Sequence, residues 1–128
     1  MALYGATRLA GVHADLVRVV YDVGSTRDVQ VVQGARSLED EQKAIDSGHS
    51  ELKDPRHSLH VVIPGERPLA LAVDIAPWPV NWSDIDGFKS LAAFVQRRAD
   101  ALETGIRWGG SWGDYDHFEL AATGQCQA

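Results

Sequence analysis

The chain has 128 residues, of which 45% are hydrophobic and 23% are charged. This length and composition are typical of a globular protein with one hydrophobic core, so we expect residues 1–128 to form a single domain. The 12 basic and 18 acidic residues give a formal net charge of −6. Since the sequence also lacks a nucleic-acid-binding motif, nucleic acid is not an expected partner.

Cysteine content and hydropathy exclude further classes. The one cysteine, Cys126, lies two residues from the end of the sequence, which excludes an intrachain disulfide and a cysteine-based zinc site. No basic segment followed by an apolar one opens the chain, and there is no run of about 18 apolar residues. We therefore expect synthesis in the cytoplasm, no stable membrane insertion and a monomer.

The first half of the chain predicts two helices, one strand and a long loop. Apolar residues at helical spacing predict a helix over residues 13–23, and a valine-rich stretch predicts a strand over 28–33. Ser37 can cap a second helix, which Gly48 ends. Residues 48–67 contain three histidines and two prolines and predict a loop with a short extended piece.

The second half predicts a buried strand, a long helix and two short strands. Residues 69–76 are apolar except for Asp74, which is typical of a buried strand. Ser83 can cap the long helix, and Ile106–Trp108 and His117–Leu120 have strand character. The regular βα alternation of a doubly wound sheet is missing, so we predict an α+β fold with a small, mainly antiparallel sheet packed against helices.

Asp74 requires an explanation, because a carboxylate within an apolar strand is costly unless a cation pairs with it. A salt bridge to Arg36, Arg67 or Arg107 is one interpretation, and exposure on an edge strand is another. Metal ligation is the third.

Two histidines favour metal ligation without deciding it. His60 precedes the strand that contains Asp74, and His117 lies between acidic residues near the end of the chain. Two imidazoles and one carboxylate, with a fourth position for water, form the usual ligand set of a catalytic zinc. The residues alone leave the salt bridge and the metal site as alternatives.

Six short motifs follow one another along the chain. They are Gly34-Ala35-Arg36-Ser37 followed by Glu41-Gln42, Gly48-His49-Ser50, Ser58-Leu59-His60, Ala72-Val73-Asp74, Arg107-Trp108-Gly109-Gly110 and His117-Phe118-Glu119-Leu120. In this order they resemble the pattern of the VanX/VanY-type zinc peptidases, which cleave D,D or L,D bonds, and are most similar to the phage L-alanyl-D-glutamate endopeptidases. The resemblance spans residues 9–120.

The resemblance implies a compact α+β fold like that of hedgehog proteins and D-Ala-D-Ala peptidases, with one Zn²⁺ held by His60, Asp74 and His117. It implies hydrolysis of peptide bonds in peptidoglycan stem peptides, with a phage endolysin that acts as an L-alanyl-D-glutamate endopeptidase as the first expectation. A D-alanyl-D-alanine dipeptidase or carboxypeptidase, and a non-catalytic zinc-stabilised binding module, are the alternatives. An endolysin made in the host cytoplasm would need another factor to reach the cell wall.

The resemblance also implies two catalytic roles. Asp114, three residues before His117, occupies the position of the general base. Arg36 resembles an arginine that lies over the substrate, where it could bind a carboxylate or stabilise the oxyanion. A salt bridge from Arg36 to Asp74 or Asp40 is the alternative.

Glu119 competes with Asp114 for the role of base. Residues i and i+2 of a strand share a face, so Glu119 should lie beside His117 while Asp116 points away. Asp114 can join the site only from the turn before the strand, which Gly113 makes possible.

The spacing of the first two ligands departs from the family pattern. His60 and Asp74 are fourteen residues apart, about twice the usual family spacing. We interpret residues 61–69 as a rim loop that touches substrate, and we keep His57 as a fallback ligand. Ser58 could hydrogen-bond substrate or a ligand residue, whereas His13 and His49 are expected at the surface.

Overall fold

The computed structural model describes residues 1–50, Leu52 and residues 54–121. Cys126 lies outside the described residues. In chain order the elements are β1 (Leu3–Tyr4), α1 (Ala14–Gly24), β2 (Val29–Gln33), β3 (Arg36–Ser37), α2 (Leu38–Asp46), β4 (Val61–Val62), β5 (Ala72–Pro77), α3 (Ile85–Ala101), β6 (Ile106–Trp108) and β7 (His117–Leu120).

Five strands form the main sheet in the order β1-β2-β5-β7-β6. β1 runs parallel to β2, and the other neighbours are antiparallel. β3 and β4 form a separate parallel pair. The predicted α+β class and the mainly antiparallel sheet are confirmed, and β7 pairs with β5. None of the helices within the described residues is long and apolar enough to cross a membrane.

The alternation of residues along β5 separates two faces of the sheet. Val73 and Ile75 belong to the hydrophobic core that the sheet forms with α1 and α3. Because successive side chains of a strand point to opposite faces, Asp74 lies on the face away from these helices. The same rule places Phe118 of β7 in the core and puts its neighbour His117 on the face of Asp74.

The helix caps follow the sequence with one correction. His13 caps α1, and the Ser37 hydroxyl accepts a hydrogen bond from the Asp40 amide at 3.0 Å at the start of α2. The long helix α3 begins at Ile85, so its cap is Asp84, whose carboxylate accepts from the Gly87 amide at 3.0 Å. The prediction that Ser83 caps this helix is therefore wrong by one residue.

Residues 61–69 begin as a buried strand and not as a loop. Val61 is fully buried and Ile63 nearly so, and β4 pairs with β3. The Arg67 guanidinium donates to the carbonyl oxygens of Ser58 at 2.7 Å and Val61 at 3.2 Å, which fixes the segment to the chain before it. Residues 64–66, 68 and 69 are exposed, but no residue of the segment lines the cleft described below. Contact of this segment with substrate therefore stays a prediction.

Candidate active site

Three predicted ligands, His60, Asp74 and His117, converge at the centre of the polar sheet face. Asp74 and His117 are register partners on β5 and β7. His60 arrives from the loop before β4, which is fixed to β5 by a hydrogen bond from the Leu71 amide to the Leu59 carbonyl at 2.8 Å. One ligand atom from each of the three side chains lies within 4.8 Å of the others. Within the described part of the chain this group could hold a metal ion.

The outer hydrogen bonds of the two imidazoles point their free electron pairs at Asp74. His60 Nδ1 lies 2.9 Å from the carbonyl oxygen of Gly34, which can only accept, so this nitrogen carries the proton. Nε2 of His60 then faces Asp74 Oδ1 at 3.1 Å with its lone pair. His117 repeats the arrangement, since Nε2 contacts Glu119 Oε1 at 2.8 Å and Nδ1 contacts Asp74 Oδ1 at 3.2 Å. Three electron-pair donors that face one another require a cation between them.

The titration of these groups shows the same demand for positive charge. When a proton takes the place of a metal ion between these groups, hydrogen bonds join Asp74 to His117 and His60. Burial disfavours the carboxylate of Asp74, but these hydrogen bonds outweigh burial and lower the pKa of Asp74 to about 2. Burial also disfavours the imidazolium, yet the hydrogen bonds to Asp74 and Glu119 raise the pKa of His117 to about 10. The pocket therefore stabilises a cation at this point, as a metal site must.

Glu119 contacts the ring nitrogen of His117 that does not face Asp74. The carboxylate lies beside His117 as the strand alternation predicted, is 7% exposed, and accepts a hydrogen bond from Arg107 at 2.8 Å. A carboxylate on the outer nitrogen fixes the tautomer and the orientation of a ligand histidine. Both carboxylate oxygens of Glu119 thus have partners, His117 and Arg107, and neither contacts Asp74. This favours a role for Glu119 in orienting His117 over a role as general base.

Asp114 is presented by a glycine-dependent turn. Gly113 has a φ of 86° and ends the 3-10 turn of residues 109–112, so Asp114 lies before β7 begins. A Cβ at Gly109 would approach the Asp114 carbonyl oxygen to 2.6 Å, so only glycine allows this close packing. Asp114 Oδ2 lies 3.8 Å from His117 Nδ1, and the side chain is half exposed. It can therefore meet water beside the ligand atoms.

Asp116 does not point away from the site as the strand rule suggested, because it precedes β7 and lies in the turn. Burial, the charge of Asp74 and a hydrogen bond with Asp114 raise the pKa of Asp116 to about 7.

A cleft of about 450 Å³ opens over the three predicted ligands. Arg36, Glu41, Ser58, Asp114 and Trp112 are among the residues that line it. The indole of Trp112 is 54% exposed and lies 6.0 Å from the His117 ring, at the rim.

Arg36 reaches this cleft as an ion pair. Its guanidinium donates to Glu41 Oε1 at 2.6 Å and to Gln33 Oε1 at 3.2 Å. The partner is Glu41 and neither Asp74 nor Asp40. Glu41 is 1% exposed, and its Oε2 atom has no hydrogen-bond partner, so the buried carboxylate is only half satisfied.

Comparisons with known proteins agree with this geometry. The family model "Phage L-alanyl-D-glutamate peptidase" matches residues 2–123. The chain belongs to this family. It is 31% identical over 102 residues to the L-alanyl-D-glutamate peptidase of Escherichia phage T5, a match that covers 75% of this chain and 69% of the relative. The crystal structure of the Serratia marcescens L-Ala D-Glu endopeptidase ChiX matches with a TM-score of 0.72 and 28% identity, over 93% of this chain and 87% of that one.

Family membership confirms the predicted resemblance and the predicted enzyme class, a peptidoglycan endopeptidase. It favours the L-alanyl-D-glutamate activity over the D-alanyl-D-alanine alternative.

Three further candidate residues of this peptidase, His57, Ser58 and His49, are not part of the group of predicted ligands. His57 is 73% exposed on its side chain and contacts Asp54 at 3.9 Å, so the fallback ligand is not part of the group. The Ser58 hydroxyl accepts from the His60 amide at 3.3 Å and supports that ligand. His49 contacts the Ser47 hydroxyl at 2.8 Å at the cleft edge.

Sequence reasoning missed three contributors to the site of this peptidase. They are the Gly34 carbonyl that orients His60, the Glu41 carboxylate that holds Arg36, and Trp112 at the rim. In the sequence Glu41 appears only as part of a motif. Its burial beside an arginine five residues earlier depends on the fold and left no separate signal in the sequence.

Proposed function

We propose that this peptidase hydrolyses the L-alanyl-D-glutamate bond of peptidoglycan stem peptides with one Zn²⁺ held by His60, Asp74 and His117. The observation that supports the metal is the convergence of two imidazole nitrogens and one carboxylate oxygen within 4.8 Å of one another, with the outer ring nitrogens held by Gly34 and Glu119. Nitrogen and carboxylate donors in a set of three suit zinc and leave a position for water.

Zinc, when bound, lowers the pKa of a water molecule to around 7 and polarises the scissile carbonyl group. Asp114 accepts the proton of the attacking water at its carboxylate and returns it to the leaving amine of D-glutamate. Its position 3.8 Å from His117 Nδ1 and its half-exposed side chain support this role. Glu119 keeps the His117 ring in the orientation that the ligand set needs.

Arg36 is proposed to hold the substrate. A guanidinium has five N–H donors, and those not used by Glu41 and Gln33 can bind a substrate carboxylate or the oxyanion. The buried Glu41 carboxylate restricts the rotamers of Arg36, so the guanidinium is oriented before substrate arrives.

A non-catalytic binding module would need the three ligands but no acid beside them. Asp114 is such an acid, held there by a turn that tolerates only glycine at position 109. This arrangement favours catalysis.

The test is digestion of purified cell walls with zinc-loaded protein, followed by mass spectrometry of the fragments. New N-terminal D-glutamate on released peptides is expected. Release of D-alanine or D-alanyl-D-alanine would instead support the carboxypeptidase or dipeptidase alternative, and no release would support the binding module. We further propose synthesis in the host cytoplasm and access to the wall through another factor, which fractionation of producing cells tests.

A further inference from the structure

An exposed pair of stacked aromatic rings lies outside the cleft. The rings of Tyr4 and Trp78 have centroids 4.3 Å apart and planes inclined by 28°. Tyr4 is 38% exposed and Trp78 is 42% exposed. Single exposed apolar side chains are ordinary, but two large exposed rings stacked on each other form an apolar patch that needs an explanation.

This aromatic pair is on the same sheet face as the ligands. Tyr4 pairs in register with Gln30, and Gln30 pairs with Ala76. The neighbours Leu3, Val29 and Ile75 pack in the helix-covered core, so Tyr4, Gln30 and Ala76 point to the opposite face with Asp74.

Trp78 continues this row beyond the end of β5. Its amide donates to the Asp28 carbonyl at 3.1 Å, which extends the pairing with β2 by one step. Four residues of extended chain separate Trp78 from Asp74, a distance of about 13 Å at about 3.3 Å per residue. An occupant of the aromatic pair and a peptide at the ligand group can therefore belong to one molecule.

The chemistry of the proposed substrate indicates which molecule. In peptidoglycan the L-alanine of the stem peptide is joined directly to the lactyl group of a muramic acid residue, so only this alanine and the lactyl group separate the scissile bond from a sugar. A pyranose ring presents a face of C–H groups without charge, which packs well on flat aromatic rings. The separation is comparable to the length of a disaccharide.

We propose that Tyr4 and Trp78 form a binding subsite for an N-acetylated hexosamine ring of the glycan strand. This inference rests on the proposed function, because it assumes a stem peptide in the cleft. The subsite gives the catalytic chain affinity for intact wall in addition to its affinity for the peptide.

The test compares two substrates that differ only in the sugar. One is a muropeptide with its disaccharide on L-alanine, and the other is the same peptide with N-acetyl-L-alanine. Trp78→Ala should raise KM for the muropeptide by roughly tenfold, the equivalent of about 1.4 kcal/mol, and leave kcat/KM for the acetylated peptide unchanged. Equal kinetics of Trp78→Ala and wild type on the muropeptide, or equal losses on both substrates, would overturn the proposal.

Two further variants separate binding from folding. Tyr21→Ala removes another exposed tyrosine, 53% exposed on α1, and should leave the kinetic constants for both substrates unchanged. Trp78→Leu keeps a large apolar side chain but lacks the flat ring, so it should behave like Trp78→Ala while retaining the wild-type melting temperature. Wild-type KM in Trp78→Leu would contradict the proposal.

Binding of peptide-free glycan strands gives a readout that does not need activity. Wild-type protein should bind them more tightly than Trp78→Leu. If wild type cleaves neither substrate, the proposed function fails, and this measurement still decides the subsite. Equal binding by the two proteins would refute the subsite even in an active enzyme.

Discussion

The two faces of the five-stranded sheet place opposite demands on the same strands. On the helix side, Val73, Ile75 and Phe118 pack with α1 and α3 in a continuous apolar core. On the other side, Asp74 and His117 sit at positions only one residue away and make contacts with charged partners. The comparison teaches that one strand can serve stability and chemistry together, because successive side chains point to opposite faces of the sheet.

The largest contrast is expected between neighbouring substitutions on β7. His117→Ala should abolish zinc binding and wall hydrolysis while the chain stays folded, because the core face is untouched. Phe118→Ala should cost about 3–5 kcal/mol of unfolding free energy, as for other buried phenylalanines. Elemental analysis and denaturant unfolding of both variants measure this contrast. Zinc content equal to wild type in His117→Ala would show that the ligand assignment is wrong.

Asp114→Asn tests the base. The change keeps the size of the side chain and removes its basicity, so activity should fall by about 10²- to 10⁴-fold. Zinc content and melting temperature should stay near the wild-type values, since no ligand is lost. Glu119→Gln is the matched control and should be milder. If Glu119→Gln is inactive while Asp114→Asn hydrolyses wall normally, Glu119 is the base.

Glu41 tests whether the polar face depends on a buried ion pair. Glu41→Ala leaves Arg36 without its acid and should cost about 1–3 kcal/mol of unfolding free energy, with a lower kcat/KM because Arg36 is no longer oriented. Glu41→Gln retains an oxygen that can accept from Arg36 and should lose less of both. Unfolding curves and peptide kinetics of the two variants provide the comparison. Identical behaviour of Glu41→Ala and wild type would show that the pair is dispensable.

The smallest effect is expected on the helix side, at the exposed pair of Asp22 on α1 and Arg98 on α3. The hydrogen bond from Arg98, assisted by its charge, lowers the pKa of Asp22 below 3.8 despite the opposing effect of burial. The folded state therefore gains stability above pH 3.8 and loses this gain as the pH falls through the lowered pKa. Asp22→Asn should melt slightly below wild type at pH 7, and the difference should vanish in strong acid. A difference that persists in acid would assign the effect to packing.

Local apolar spacing predicts most of the helix side. The helices predicted at residues 13–23 and after Ser83 correspond to α1 and α3, and the strands predicted at residues 28–33, Ile106–Trp108 and His117–Leu120 correspond to β2, β6 and β7. β1 was missed, because two residues are too few to show alternation and their pairing partner lies 26 residues away.

The polar side was predictable only as a set of residues. The family resemblance named His60, Asp74 and His117, and the structure brings them together. It could not name the outer partners, because the Gly34 carbonyl and the Arg36–Glu41 pair depend on how β3 lies against β4. The interpretation of residues 61–69 as a loop was wrong for Val61–Val62, which form β4, because no local pattern reveals the pairing that buries Val61.

The sequence by itself determined the main helices, most strands of the large sheet and the alternation that gives this sheet two faces, and its resemblance to a family named the three predicted ligands. The helices, strands and alternation depend on residue type and short spacing, which a linear chain displays directly. Only the tertiary structure decided which ring nitrogen of each histidine faces Asp74, that Glu119 supports His117 from behind, and that Tyr4 meets Trp78. Such relations depend on distances between segments far apart in the chain, and packing of the whole fold sets those distances.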